Sequence, residues 1–236
     1  MDLISHSKKG RIIMNVYSAS EMTRVTLADL YQQARDCYYD IWDAAKEYGR
    51  DPKIYLHWTA GHYGQFFDDY HVQIDKDGAI YMPPDTSLRD ILAATWRRNS
   101  GSVAISICGC FDATTGSNLG SNPPTAAQLE SLYQATTVIA DALDLTIDLK
   151  HVMTHGEAGD NEDGIYPHDP YGPKSTVERW DLEYLGTSES RKYNPKDRAH
   201  RGGTIIRAKA NWYRSYYGTG KLQEYFKDSQ HKIKSK

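Results

Sequence analysis

Cysteine is scarce in this chain of 236 residues, which has three, at positions 37, 108 and 110. Three cysteines cannot build a disulfide framework, so the composition does not require an oxidising compartment. No apolar run approaches the roughly 20 residues that a membrane-spanning helix needs, and we expect no membrane span. A glycine-rich phosphate-binding motif is also missing, which argues against a nucleotide-dependent enzyme.

The charge of the chain is unevenly distributed, although its net value is only −3. Residues 186–236 contain 13 basic and 4 acidic residues, a net charge of +9, against −12 for the rest. A basic tail of this kind binds a polyanion in some proteins and is a solvated segment packed on an acidic body in others. The sequence leaves both interpretations open.

Two segments have the periodicity of amphipathic helices. Residues 26–48 place apolar side chains at steps of three and four, and so does the segment that follows Thr125. The second helix begins with a capping box, Thr125 to Gln128. Further along the chain, residues 207–213 also read as helix.

Short apolar runs predict the strands, at residues 54–58, 102–110 and 152–155. An Asp-Gly turn at residues 77–78 joins two alternating segments and predicts a hairpin. Alternating helices and strands predict an α/β fold with a mixed central sheet flanked by helices. Residues 156–178 lack any period and predict a long loop, and a short closing helix is expected near residues 180–185.

Two histidines lie at the ends of predicted strands, His57 and His155. Histidines at the ends of adjacent strands can converge on one point, as a metal site requires, although a single histidine is more often a hydrogen-bonded structural residue. A metal site needs a third ligand, and spacing alone does not choose among the nearby candidates, which are Asp181, His168, Asp169 and Glu157.

Five segments together resemble a known family. They occur in the order 57–61 (HWTAG), 70–78 (YHVQIDKDG), 99–109 (NSGSVAISICG), 154–158 (THGEA) and 178–182 (ERWDL). In this order they resemble the type 2 N-acetylmuramoyl-L-alanine amidases, a superfamily that includes peptidoglycan recognition proteins and phage amidase endolysins. The resemblance spans about residues 50–185. It implies an amidase domain at residues 1–185 with its core at 50–185, followed by a basic extension at 186–236 that we expect to be helical and packed on the domain.

The resemblance implies a zinc groove at one edge of the sheet. Its ligands would be His57, His155 and, from the Arg-Trp-Asp segment, Asp181. His168 is the competing third ligand, because it lies in a loop that is long for the family. A site with three protein ligands leaves zinc a position for water, whose pKa the metal lowers to about 7.

The resemblance also implies two catalytic groups beside the metal. Tyr70 corresponds to the groove tyrosine of the family, which assists the water or stabilises the oxyanion. Arg179 stands where relatives often have an oxyanion-stabilising lysine, although a guanidinium differs from an ammonium in shape.

One position departs from the family pattern. Many catalytic relatives carry a glutamate as general base where this chain has Ser106, and a serine cannot serve in that role. Glu157 is an alternative carboxylate close to His155, unless it is only a solvated loop acid.

These features together imply a zinc hydrolase that cleaves the amide bond between N-acetylmuramic acid and L-alanine in peptidoglycan. The implied partner is the cell wall, both glycan strand and stem peptide, and no nucleic acid is expected. The first ten residues lack the apolar segment of a secretory signal. We therefore expect a phage or prophage lytic enzyme, an endolysin, that stays in the host cytoplasm until release or is carried by the virion. The alternative is a non-catalytic peptidoglycan-binding protein or a virion tail component.

Overall fold

The computed structural model describes residues 15–115, 117–160, 181–192, 194 and 196–217. Within these ranges, no helix combines the length and the apolar character that crossing a membrane demands.

The centre of the fold is a six-stranded sheet with the strand order β2-β6-β5-β7-β3-β8. Its strands are β2 (Thr23–Val25), β3 (Lys53–Trp58), β5 (Val72–Ile74), β6 (Ile80–Met82), β7 (Ser102–Ile107) and β8 (Val152–Thr154). Strands β5, β7, β3 and β8 run parallel, whereas β2 and β6 are antiparallel to their neighbours. Two further short strands, β1 (Val16–Tyr17) and β4 (Phe66–Phe67), form a separate antiparallel pair.

Within the described ranges, five α-helices accompany the sheet: α1 (Leu27–Asp36), α2 (Tyr38–Lys46), α3 (Ala126–Ala142), α4 (His155–Gly159) and α5 (Gly202–Tyr217). Helix α3 packs on β5 and β7, and α1 and α5 pack against α3. The predicted mixed sheet with flanking helices is therefore confirmed.

The two faces of the sheet differ in character, as β3 shows. Ile54 and Leu56 point into the main apolar core together with residues of α1, α3 and α5. Tyr55 and His57 alternate with them and therefore face the opposite side, since successive side chains of a strand point to opposite faces. Tyr55 joins a small cluster there with Met153. The opposite face is the one that carries the functional residues.

Several local predictions are confirmed and three are wrong. The loop predicted at residues 156–178 begins within α4, so its first part is wrong, and residues 161–178 lie outside the described part of the chain. Thr125 caps α3 through the predicted reciprocal bonds with Gln128. The hairpin of β5 and β6 has its predicted turn, where Gly78 adopts a φ of 82°. The single helix predicted at residues 26–48 is instead two helices that meet at Cys37. Residues 181–185 are not helical, so the predicted closing helix is wrong over that part.

The buried side chain of His71, directly before β5, links the loop that contains Asp90 to strand β7. Its Nδ1 accepts a hydrogen bond from the amide of Ala104 (3.0 Å), which leaves Nε2–H to donate to the carbonyl of Asp90 (2.9 Å). Burial lowers the pKa of His71 from 6.5 to about 4. The folded protein therefore holds this imidazole neutral where the unfolded chain would already take up a proton.

This difference predicts an acid-sensitive stability. Between pH 6.5 and about 4 the unfolded chain binds more protons at His71 than the folded chain. The free energy of unfolding should therefore fall as the pH falls through this window, by about 3 kcal/mol in total. Urea unfolding at a series of pH values measures it. His71→Asn should show a shallower loss than the parent, and equal slopes would contradict the assignment.

Candidate metal centre

The topology of the sheet brings the two predicted histidines together. Strands β3 and β8 are parallel neighbours, with Leu56 paired to Thr154. His57 lies near the carboxyl end of β3, and His155 follows β8 directly as the first residue of α4. Thr154 caps that helix by accepting the amide hydrogen of Glu157 (3.1 Å). Because parallel strands end at the same edge of a sheet, the two imidazoles meet there.

Asp181 completes a compact group of three. Its Oδ2 atom lies 3.2 Å from Nδ1 of His57 and 3.2 Å from Nδ1 of His155. The ligand atoms of these three residues all lie within 4.8 Å of one another, and all three side chains are buried. The imidazole rings are 4.7 Å apart between centroids. The structure thus brings together the three residues that were expected to bind metal.

Two of the three spacings between these atoms fit a tetrahedral zinc ion. With bonds of about 2.0–2.2 Å to nitrogen and oxygen, the ligand atoms of such a site stand about 3.4 Å apart. The two distances of 3.2 Å from Oδ2 to the imidazole nitrogens are close to this value. Two neutral imidazoles and one carboxylate would also offset half of the charge of a divalent ion.

Thr95 sets the orientation of the first histidine. Its Oγ1 lies 3.1 Å from Nε2 of His57, and both side chains are buried. A proton on Nε2 would be donated to Thr95, which leaves the lone pair of Nδ1 directed at Asp181 and the metal position. The sequence did not single out Thr95, because it belongs to none of the five motifs.

We expect Thr95→Val to weaken metal binding without removing a ligand. Without the hydroxyl, the ring orientation and the tautomer of His57 are no longer fixed. Changes of this kind lower metal affinity by about 10–100-fold. Titration of the metal-free protein with zinc against a chromogenic chelator measures this. Thr136→Val is the matched control, since that threonine is also fully buried but lies on α3, in the helical layer. Equal losses in both variants would contradict the role of Thr95.

A cavity of about 480 Å³ opens onto the three residues. It is bordered by His155, Asp181 and Tyr70, and by a mostly apolar wall of Trp58, Thr59, Ala60, Gly61, Gln65, Phe67, Ala94 and Phe111. The ring of Tyr70 is 5.2 Å from that of His57, and its hydroxyl lies 3.4 Å from the carbonyl of Trp58. Among the described residues of this wall, Asp181 is the only carboxylate.

Ser106, which the resemblance aligns with the family's glutamate, lies beside the candidate metal site. It pairs with His57 across β3 and β7 and with Gln73 across β7 and β5. These paired side chains share one face of the sheet. Ser106 is fully buried. The structure therefore places no acid at this point.

Glu157 is directed away from the cavity wall. Its two carboxylate oxygens receive hydrogen bonds from Nη1 and Nη2 of Arg207, at 2.7 and 2.9 Å. The side chain is 1% exposed and also accepts the amide hydrogen of Thr154 (3.0 Å). This geometry favours a structural role. Its proposed role as a catalytic carboxylate stays a prediction without support from the geometry.

Three other predicted residues lie outside the described part of the chain. These are Arg179, the expected oxyanion-stabilising group, and two candidates for the third ligand, His168 and Asp169. Their roles remain predictions.

The fold and the metal centre define a class of mixed-sheet proteins with a His-His-Asp group at a sheet edge. A family model described as N-acetylmuramoyl-L-alanine amidase matches residues 32–172, more than half of the chain. The chain belongs to this N-acetylmuramoyl-L-alanine amidase family.

Among solved structures, one similar chain is the endolysin N-acetylmuramoyl-L-alanine amidase LysCS from Clostridium intestinale URNW. It is 19% identical, with a TM-score of 0.34, over 47% of this chain and 72% of that one. Another is the Ph2119 endolysin from the Thermus scotoductus MAT2119 bacteriophage Ph2119. It is 23% identical, with a TM-score of 0.34, over 46% and 74% of the two chains. No curated protein matches the chain.

Proposed function

We propose that this chain is a zinc-dependent amidase that hydrolyses the bond between N-acetylmuramic acid and L-alanine in peptidoglycan. Its membership of the amidase family supports the reaction class. The observation that carries the metal dependence is the convergence of His57, His155 and Asp181 within 4.8 Å beside an open cavity. A lytic role in a phage or prophage is part of the proposal, and the genes that flank its coding sequence would test it.

The three candidate ligands would contribute to metal binding in different ways. Asp181 supplies the negative charge, and His57 and His155 supply neutral nitrogen donors of fixed orientation. Bound zinc would act as a Lewis acid towards the scissile carbonyl and would lower the pKa of water to about 7.

Tyr70 is the described side chain best placed to act on the substrate itself. It borders the cavity together with His155 and Asp181, and it carries a phenolic donor. We assign its hydroxyl to donate a hydrogen bond to the oxygen that gains negative charge during attack on the amide. The apolar wall, with Phe67 and Phe111, would exclude bulk water and so strengthen this interaction.

The proposal is tested by metal analysis together with product analysis. Purified protein should contain one zinc per chain and should release peptides with a new L-alanine amino terminus from purified cell walls. Chelation should abolish this release, and added zinc should restore it. His155→Ala should lose both metal and release, whereas His200→Ala should keep both, because His200 is exposed and pairs with Asp197.

The products separate the proposal from its alternatives. New reducing ends would identify cleavage of the glycan strand, and new amino termini other than L-alanine would identify a peptidase. Wall binding without any release would identify a non-catalytic recognition protein. Full release from rigorously metal-free protein would reject the metal dependence.

A further inference from the structure

The two segments that carry His155 and Asp181 touch each other directly. The amide of Gly156 lies 3.4 Å from the carbonyl oxygen of Asp181, to which it donates. A Cβ atom on Gly156 would stand 2.2 Å from Oε1 of Glu183, so the first turn of α4 approaches residues 181–185 as only a glycine allows. The relative position of the two ligands therefore depends on what holds these segments together.

Arg201, the residue before α5, bonds to both segments. Its Nε donates to Oε2 of Glu183 at 2.6 Å, and its Nη2 donates to Oε1 of the same carboxylate. Nη2 also donates to Asp160, which ends α4. The guanidinium is almost buried, and Glu183 is 2% exposed. One side chain thus joins the segment of Asp181 to the helix of His155.

Arg207 holds the same helix from the other side. Besides its two bonds to Glu157, its Nη1 donates to the carbonyl of Val152 in β8 (3.1 Å). Glu157 in turn accepts the amide hydrogen of Thr154, directly before His155. Strand β8 and the start of α4 are therefore both fixed by this guanidinium.

The helix that carries these groups is itself firmly anchored. Ile206 and Ala210 of α5 are fully buried in the main core. Thr137 of α3 donates to the carbonyl of Ala210 (3.0 Å), and Asn211 donates to that of Ile147 (2.8 Å). The residues that match the family model end at 172, before this whole helix. Helix α5 therefore lies after the matched residues, and it reaches the two ligand-bearing segments through Arg207 and through Arg201, which directly precedes it.

We propose that Arg201 and Arg207, together called the arginine clamp, are positioning residues that hold His155 and Asp181 at the spacing a metal ion requires. This inference rests on the proposed function. In each pair the planar fork of the guanidinium engages both oxygens of one carboxylate, which fixes orientation as well as distance. Within the described residues, neither arginine borders the cavity and the bonds given above for them end on other acids and a backbone carbonyl, so the clamp would act through the backbone segments that carry the ligands.

Lysine substitutions test the clamp, because lysine keeps the charge but loses the planar fork. We expect Arg201→Lys and Arg207→Lys to remain folded without metal while their zinc affinity falls about 10–100-fold. Zinc titration against a chromogenic chelator measures the affinity, and circular dichroism measures the fold. Cobalt(II) added in place of zinc should give a weaker visible absorption band in both variants, because that band reports four-coordinate geometry.

The matched control is Arg214→Lys on the same helix. Nη1 of Arg214 donates to the carbonyl of Leu145 (2.8 Å), outside both ligand-bearing segments. Its substitution should leave zinc affinity and the cobalt spectrum unchanged. If Arg201→Lys fails to fold, the double variant Arg201→Met with Glu183→Met removes both charges, and it should fold but bind zinc more weakly.

The outcomes distinguish the clamp from the proposed function. If the parent and every clamp variant bind zinc equally tightly, the clamp is rejected and the proposed function stands. This holds even if the variants unfold at lower temperature. Equal losses in the clamp variants and in Arg214→Lys would overturn it as well. A parent that binds neither zinc nor cobalt would overturn the proposed function, and the clamp with it.

Discussion

Asp181→Ala is expected to abolish zinc binding and wall hydrolysis together. Its Oδ2 atom lies 3.2 Å from both imidazole nitrogens. The substitution therefore removes the only carboxylate among the three candidate ligands. Changes to residues that merely orient a ligand cost about 10–100-fold in metal affinity, and removal of a ligand should cost more. We expect at least a 100-fold loss of zinc affinity, measured by chelator competition, and no detectable peptide release.

Two further variants make this expectation specific. Asp181→Asn keeps the shape of the side chain and removes its charge, so a similar loss would assign the effect to the carboxylate rather than to packing. His168→Ala, in contrast, should retain zinc and activity. A larger metal loss in His168→Ala than in Asp181→Ala would assign the third ligand to His168 and reject the proposed ligand set.

The sequence predicted which three residues form the candidate metal site, and for the two histidines the reason lies in the strands. His57 and His155 each follow an apolar run that reads as a buried strand, and parallel strands end at a common edge. Their convergence therefore followed from local pattern and topology. The choice of Asp181 over other acids came from the resemblance, because spacing along the chain places no constraint on a residue that follows a long segment without periodicity.

The parts that the sequence did not predict depend on contacts between distant segments. Thr95 lies 38 residues from His57 along the chain and meets it only in the folded state. Glu157 looked like a loop acid, yet it is buried because Arg207, 50 residues later, neutralises it. The break between α1 and α2 at Cys37 was missed for a different reason, since the apolar stripe continues across it and hides the boundary.

The basic residues at 186–236 left two interpretations open, a polyanion-binding tail or a solvated segment packed on an acidic body. In the described part, Arg201 and Arg207 form buried pairs with Glu183 and Glu157, which favours packing on the acidic body. Removing one partner of such a buried pair destabilises the fold, because the other charge is then left buried and uncompensated. The basic helix and the acidic body are thus complementary over this surface.

Tyr70→Phe is expected to slow hydrolysis about 10²–10³-fold while zinc stays bound, the usual cost of removing one donor to a developing oxyanion. The change deletes one hydroxyl at the cavity and leaves the ring, which stands 5.2 Å from His57. Its hydroxyl lies 3.4 Å from the carbonyl of Trp58, too long a contact for its loss to threaten the fold. Single-turnover release of peptides from cell walls measures the rate, and metal analysis measures zinc.

Tyr63→Phe is the matched control, because that hydroxyl donates to the carbonyl of Pro123 and Tyr63 is not part of the cavity wall. A Tyr70→Phe variant that turns over as fast as the parent with zinc in place would remove Tyr70 from the chemistry and leave Arg179 as the next residue to test.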